Sequence, residues 1–210
     1  MNGPFHEAEF RVLAARRLHA APPGVHRRSD DDLNPEARMI PVGEAPRAAA
    51  VLVPLVPRPG GLRVLLTERQ PHLRSHAGQV AFPGGRIDDT DHGPVAAALR
   101  ETEEETGIAP GFVEPLGFLD TYLTSTNFRV MPVVGLLRPG FTVTPHEAEV
   151  ADVFEVPLSF LMDPARHERH SRDWQGKLRY YYAMPWEGHY IWGATAGMIR
   201  NLYSLLYETP

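Results

Sequence analysis

The sequence contains no cysteine. That absence removes disulfide staples, thiolate zinc sites and a cysteine nucleophile together, so any metal has to sit on oxygen or imidazole ligands. Long apolar runs are missing too: none approaches the roughly 20 residues needed to span a bilayer, and the N-terminus lacks the charged-then-apolar order of a signal peptide. A cytoplasmic protein with no membrane partner is expected. Positive charge is in short supply, since 21 Lys and Arg against 26 Asp and Glu leave a formal net charge of -5. This speaks against a nucleic-acid partner, because binding a phosphate backbone draws on a clustered surplus of basic side chains. An anionic substrate then has to be met by local charge or by a metal. His72, His76 and His146 lack the paired spacing of a zinc site, which leaves His76 at most a phosphate contact.

What is present fits one catalytic domain with extensions in 210 residues. Phe10, Leu13, Ala14 and Leu18 give residues 5–18 the spacing of a short amphipathic helix, which Pro22-Pro23-Gly24 ends. Residues 24–46 mix Pro, Arg and the run Asp30-Asp31-Asp32 without periodicity and read as a linker or long surface segment, so 1–46 is taken as an N-terminal extension and 47–210 as the domain. From Ala48 an apolar strand, a Pro59-Gly60 turn and a second strand over 62–67 predict a hairpin. Further strands are expected at 80–82, 116–121, 129–136, 150–156, 178–184 and 190–192, and helices at 94–106, 157–162 and 195–207. Such an order builds a mixed sheet with helices on its faces.

The most informative stretch is PVAAALRETEEETGI, residues 94–108. Pro94 suits the first helical position, where its missing N–H costs nothing, and Gly107 suits the residue just past the end. At about 100° per residue, Glu101, Glu104 and Glu105 share one face, while Val95, Ala98, Leu99, Thr102 and Thr106 occupy its neighbour. Like charges at these spacings oppose one another. Arg100, four residues before Glu104, is placed to steady that carboxylate, and a hard divalent cation such as Mg²⁺ would offset the rest. An acidic cluster by itself is ordinarily a solvated helix face. The preceding Phe82-Pro83-Gly84-Gly85 turn adds a second feature, because paired glycines let backbone N–H groups approach an anion closely.

Residues 100–108, RETEEETGI, resemble the second half of the Nudix box, G-x5-E-x7-R-E-U-x-E-E-x-G-U with U aliphatic. The chain departs from that box in three places: Gly85 lies one residue further from Arg100, Asp91 stands where the first glutamate falls, and Thr102 replaces an aliphatic residue. Upstream, Leu65-Leu66-Thr67-Glu68-Arg69-Gln70, Arg74, Gly78 and the FPGG turn are similar to the LLTxRS-x3-R-x3-G-x3-FPGG signature of the coenzyme A pyrophosphatase branch, with Gln70 in place of Ser. Residues 191–196, IWGATA, resemble the same branch.

The resemblance implies an α/β/α sandwich around a mixed sheet. It also implies Mg²⁺- or Mn²⁺-dependent hydrolysis of coenzyme A to 3′,5′-ADP and 4′-phosphopantetheine, with ADP-ribose, dinucleoside polyphosphates and nucleoside triphosphates as rival Nudix substrates. A nucleotide-binding module without activity is a third reading. On the enzymatic reading Glu101, Glu104 and Glu105 hold metal, and Glu149, in a segment similar to the loop where many Nudix enzymes carry a glutamate, or else Glu105, serves as general base. Arg69 and Arg74, with Gly84 and Gly85, are the expected phosphate contacts. The aromatics Trp174, Tyr180 to Tyr182, Trp186, Tyr190 and Trp192 suit either adenine stacking or a core.

Overall fold

The computed structural model of the chain describes residues 5–24, 26–36, 38–40, 43–174 and 176–208. In chain order the elements are α1 (Glu7–Arg17), β1 (His26–Ser29), β2 (Arg47–Arg58), β3 (Gly61–Arg69), β4 (Val80–Ala81), β5 (Gly84–Arg86), α2 (Pro94–Thr106), β6 (Val113–Phe118), β7 (Thr121–Leu123), β8 (Phe128–Leu137), β9 (Val150–Pro157), α3 (Leu158–Leu161), β10 (Glu168–Trp174), β11 (Lys177–Trp186), β12 (His189–Trp192) and α4 (Gly193–Tyr207).

The central strand is β2. Its apolar run buries Ala49, Val53 and Leu55 on one face and Ala50, Leu52 and Val56 on the other, the composition expected of a strand covered on both sides. It makes the hairpin with β3, closed at Gly60 with φ 94°, and runs parallel to β8 from Arg47 opposite Phe128 to Leu55 opposite Leu136. Around this pair nine strands join one mixed sheet, parallel at β1–β7 and β2–β8 and antiparallel elsewhere. α2 lays Ala97 and Ala98 on one face, while Phe10 and Ala14 of α1 and Met198, Ile199 and Leu202 of α4 cover the other. The result is the expected α/β/α sandwich. Each fully buried Leu of β2 and β3 contributes about 1.5–3 kcal/mol. A second sheet, β10-β11-β12, stands beside the first.

The expected helices are present, α2 over the predicted residues and α3 and α4 within two residues of theirs. Besides β7, which the strand expected at 116–121 reaches only at Thr121, three strands were not foreseen. β10, with the sequence ERHSRDW, is mostly exposed and has no apolar alternation; it exists because all seven of its residues pair with β11. β5 is the glycine turn itself, antiparallel to β2.

The third, β1, goes against the linker alternative for residues 24–46, which were expected to be a linker or a long surface segment. This strand runs parallel to β7, and the Asp run beyond it is tied into the protein. Asp30 accepts hydrogen bonds from the Ser125 N–H at 2.7 Å and the Tyr122 hydroxyl at 2.9 Å. Asp31 is buried, accepts from the Met39 N–H and forms a 2.8 Å ion pair with the buried Arg179 of β11. Asn34 exchanges two hydrogen bonds with the backbone of Tyr180, at 2.8 and 2.9 Å.

Removing one partner of a buried ion pair strands the other charge. Asp31→Ala is therefore expected to lower unfolding stability by about 3 kcal/mol, measured by chemical denaturation; a loss below about 0.5 kcal/mol would mean that the segment is not integral to the fold.

Candidate active site

The site forms where the glycine turn crosses the acidic face of α2. Pro94 begins α2 and Gly107 ends it at φ 72°, with its N–H donating to the Glu103 carbonyl at 2.8 Å. Thr102 stands at an aliphatic position of the box and is fully buried. It is tolerated because its hydroxyl donates to the Ala98 carbonyl at 2.6 Å within the same helix. The apolar side of α2 faces the sheet, and this turns Glu101 and Glu105 toward the turn.

Gly84, at φ 154°, has no room for a side chain, because a Cβ there would overlap the Ala50 carbonyl and the Val51 backbone. Its N–H donates to Glu105 Oε2 at 3.3 Å. A Cβ on Gly85 would occupy the space of the Glu101 carboxylate. Both glycines are thus required by close approach to the acidic helix or the neighbouring strand.

Glu105 is buried, its side chain 8% exposed, and burial pushes its pKa up to about 7. The Gly84 N–H and Arg69, whose Nη1 lies 3.7 Å from Oε1, pull the other way. The charges of Glu101 and Glu149 raise it further. Glu101 is also raised, by burial first, against the opposing effect of Arg100. Arg69 Nε is buried with no hydrogen-bond partner among the described residues.

Arg100 is the hub of the outer side. It grips Asp91 with two hydrogen bonds of 3.0 and 3.1 Å, donates to the Arg86 carbonyl, and reaches Glu101 at 3.0 Å and Glu104 at 3.2 Å. The Glu104 contact is the i,i+4 pair expected from the sequence. Asp91 is held below the usual carboxylate range by that grip. Glu104 itself is 59% exposed. Among the described residues no three acidic or imidazole groups converge closely enough to hold an ion as they stand. Yet the donors are all hard carboxylate oxygens, Glu105 is buried with its counter-charge, Arg69, no nearer than 3.7 Å, and Glu101 lies against bare glycine backbone. These features fit a hard divalent cation, which would compete with Arg100 for Glu101 and Glu104.

Glu149 is brought here by a loop that hangs on the end of α2. The His146 N–H donates to the Glu105 carbonyl at 2.9 Å and the Thr144 N–H to the Thr106 carbonyl at 2.7 Å, satisfying two of the helix's last acceptors. Gln70, where the upstream motif has Ser, ties the same loop: its N–H donates to the Glu149 carbonyl and its side-chain amide to the Glu147 carbonyl, both at 2.8 Å. The Glu149 side chain is exposed, with His146 Nδ1 3.7 Å away.

Beside the site opens a cleft of about 720 Å³. Arg69, His76 and Gly84 line it, together with Trp174, Tyr180 to Tyr182 and Trp192; Trp186 packs instead on Phe160, and Tyr190 is outside it. Arg74 is exposed in the loop after β3 and does not line the cleft. The sequence reading missed the opposite wall, which comes from Arg28, Asp30 and Met39 and from Arg172 and Asn201. No periodicity marks the first group, and the aromatic run was the only sign of the second.

A buried carboxylate under a glycine turn, on an acidic helix beside a large cleft, suits a site for a cation and an anionic ligand. The NUDIX domain model matches residues 46–176. The uncharacterized Nudix hydrolase NudL of Shigella flexneri is 43% identical over 180 residues, covering 85% of this chain and 91% of that one. Its namesake from Escherichia coli K12 is 46% identical over 158 residues, covering 74% and 81%. The chain belongs to the Nudix hydrolase family. Among solved structures, the Nudix domain of Shewanella oneidensis NrtR, complexed with ADP-ribose, is 25% identical with a TM-score of 0.44 over 55% of this chain and 75% of that one.

The raised pKa of Glu105 has a signed consequence for the metal-free protein. Folding favours its protonated form, so the stabilisation is complete below the ordinary value of 4.5 and is lost as pH rises through about 7. In chelator, stability should fall across that window, and Glu105→Gln should flatten the fall. An unchanged slope in the variant, followed by thermal melts, would assign the titration to another group.

Proposed function

We propose that this Nudix hydrolase cleaves the diphosphate of coenzyme A or its derivatives, with Mg²⁺ or Mn²⁺, to 3′,5′-ADP and 4′-phosphopantetheine. The observation that carries the reading is the meeting of two separate motifs. Arg69 of the upstream signature and Gly84 of the FPGG turn both address the Glu105 carboxylate, at 3.7 and 3.3 Å, on the rim of a cleft that also presents aromatic rings.

On this reading Glu101, Glu104 and Glu105 hold the metal, and Arg100 orients Glu101 and Glu104. A divalent cation there supplies neutralisation of the diphosphate and a more acidic bound water. Glu149 accepts the proton of the attacking water; it is near enough to Glu105 to perturb it, and among the described residues its side chain approaches only His146, whose Nδ1 is 3.7 Å away. As water adds to phosphorus, the P–O anhydride bond breaks and its electron pair leaves with the bridging oxygen. Arg69, whose Nε lacks a partner among the described residues, takes a phosphate oxygen. Arg74 serves only if its loop folds over the cleft.

Supplied with Mg²⁺, the protein is expected to convert coenzyme A faster than ADP-ribose or nucleoside triphosphates, read by product identification. A preference for ADP-ribose would overturn the substrate assignment, and no turnover of any of them would favour a binding module. Glu104→Gln should lower Mg²⁺-dependent kcat by at least about 100-fold without unfolding the protein. Glu149→Gln should slow the chemical step and remove one limb of the pH–rate profile; an intact profile would sink Glu149 as the base.

A further inference from the structure

Five arginines line the cleft, and four of them have an acidic neighbour. Arg179 pairs with Asp31, Arg200 with Glu208, Arg69 faces Glu105, and Arg28 lies 3.8 Å from Asp120. Arg172 of β10 has no acidic or hydrogen-bonding partner among the described residues. It stands directly opposite Arg179 in the β10–β11 register, an arrangement in which like charges destabilise each other. Asp31 offsets the charge of Arg179, but nothing described offsets that of Arg172.

The guanidinium is nevertheless positioned. Its Cζ lies 5.1 Å from the ring centroid of Trp174 and 4.9 Å from that of Trp192, and Tyr181 meets Trp192 edge-on at 5.2 Å. All four residues line the cleft. A cation steadied on indole faces keeps its five N–H donors for something else, and a bidentate acceptor such as a phosphate monoester matches that fork. The surrounding rings offer a stacking surface for a base.

We infer that Arg172, with Trp174 and Trp192, forms a second anion subsite in the cleft, which takes an isolated phosphate monoester on a nucleotide whose base stacks on the adjoining rings. This rests on the reading of the cleft as a nucleotide site, and it deepens that reading by separating two tasks. Arg69 and Glu105 attend the diphosphate to be cleaved, while Arg172 selects substrates that carry a further phosphate. ADP-ribose has none, whereas the 3′-phosphate of coenzyme A is one.

The test is calorimetric binding to the full chain, with adenosine 3′,5′-bisphosphate and AMP as probes. The unaltered protein is expected to bind the bisphosphate at least about tenfold more tightly, as a charged hydrogen-bonded contact warrants. Arg172→Ala should bring the two within about threefold. Arg169→Ala should keep the selectivity: Arg169 belongs to the same strand but lies 4.0 Å over Tyr180 and does not line the cleft. Equal affinities in the unaltered protein, selectivity surviving in Arg172→Ala, or selectivity lost equally in Arg169→Ala would each overturn the subsite. Turnover of coenzyme A is scored separately. Bisphosphate selectivity without turnover defeats only the substrate assignment, and turnover without Arg172-dependent selectivity defeats only the subsite.

Discussion

The site depends on one carboxylate that is kept out of water. Glu105 is held beneath the glycine turn with a single backbone N–H at 3.3 Å and one guanidinium at 3.7 Å, too little to compensate its ionised form. A buried charge of this kind either takes up a proton or recruits a cation. The neighbouring parts serve that choice: Gly84 and Gly85 admit the helix, Thr102 lets the helix lie flush on the sheet, and Arg100 restrains the outer acids.

Three pieces of chain converge there, and the contacts between them are polar. The turn is anchored by β5 pairing with β2, the helix by its apolar face, and the loop carrying Glu149 by the last carbonyls of the helix together with Gln70. Gln70 therefore does more than occupy a variant position of a motif. Its longer side chain reaches the Glu147 carbonyl and fixes the loop to the end of β3.

What could be read from the sequence was whatever local chemistry determines. The ends of α2 follow from Pro94 and Gly107, the doubly buried β2 from its apolar run, and the shared face of Glu101, Glu104 and Glu105 from helical period. What could not be read depends on partners remote in the chain. β10 has no apolar pattern and is a strand only because β11 lies alongside; β1 needs β7; and Asp31, which looks like part of a solvated acidic run, is buried against Arg179, 148 residues away. Likewise nothing in the spacing of Arg74 tells that it faces solvent while Arg69 faces the acid.

The walls of the cleft have a further consequence. Arg28, Asp30 and Met39, with Arg172, Trp174 and Trp192, line the cleft, whereas Glu101, Glu104, Glu105 and the two glycines of the turn lie between positions 84 and 105. On the proposed reading, the metal-holding acids and the groups that select the substrate thus lie in different stretches of one polypeptide. Either stretch can drift without rewriting the other, so relatives sharing the acidic helix need not share an appetite.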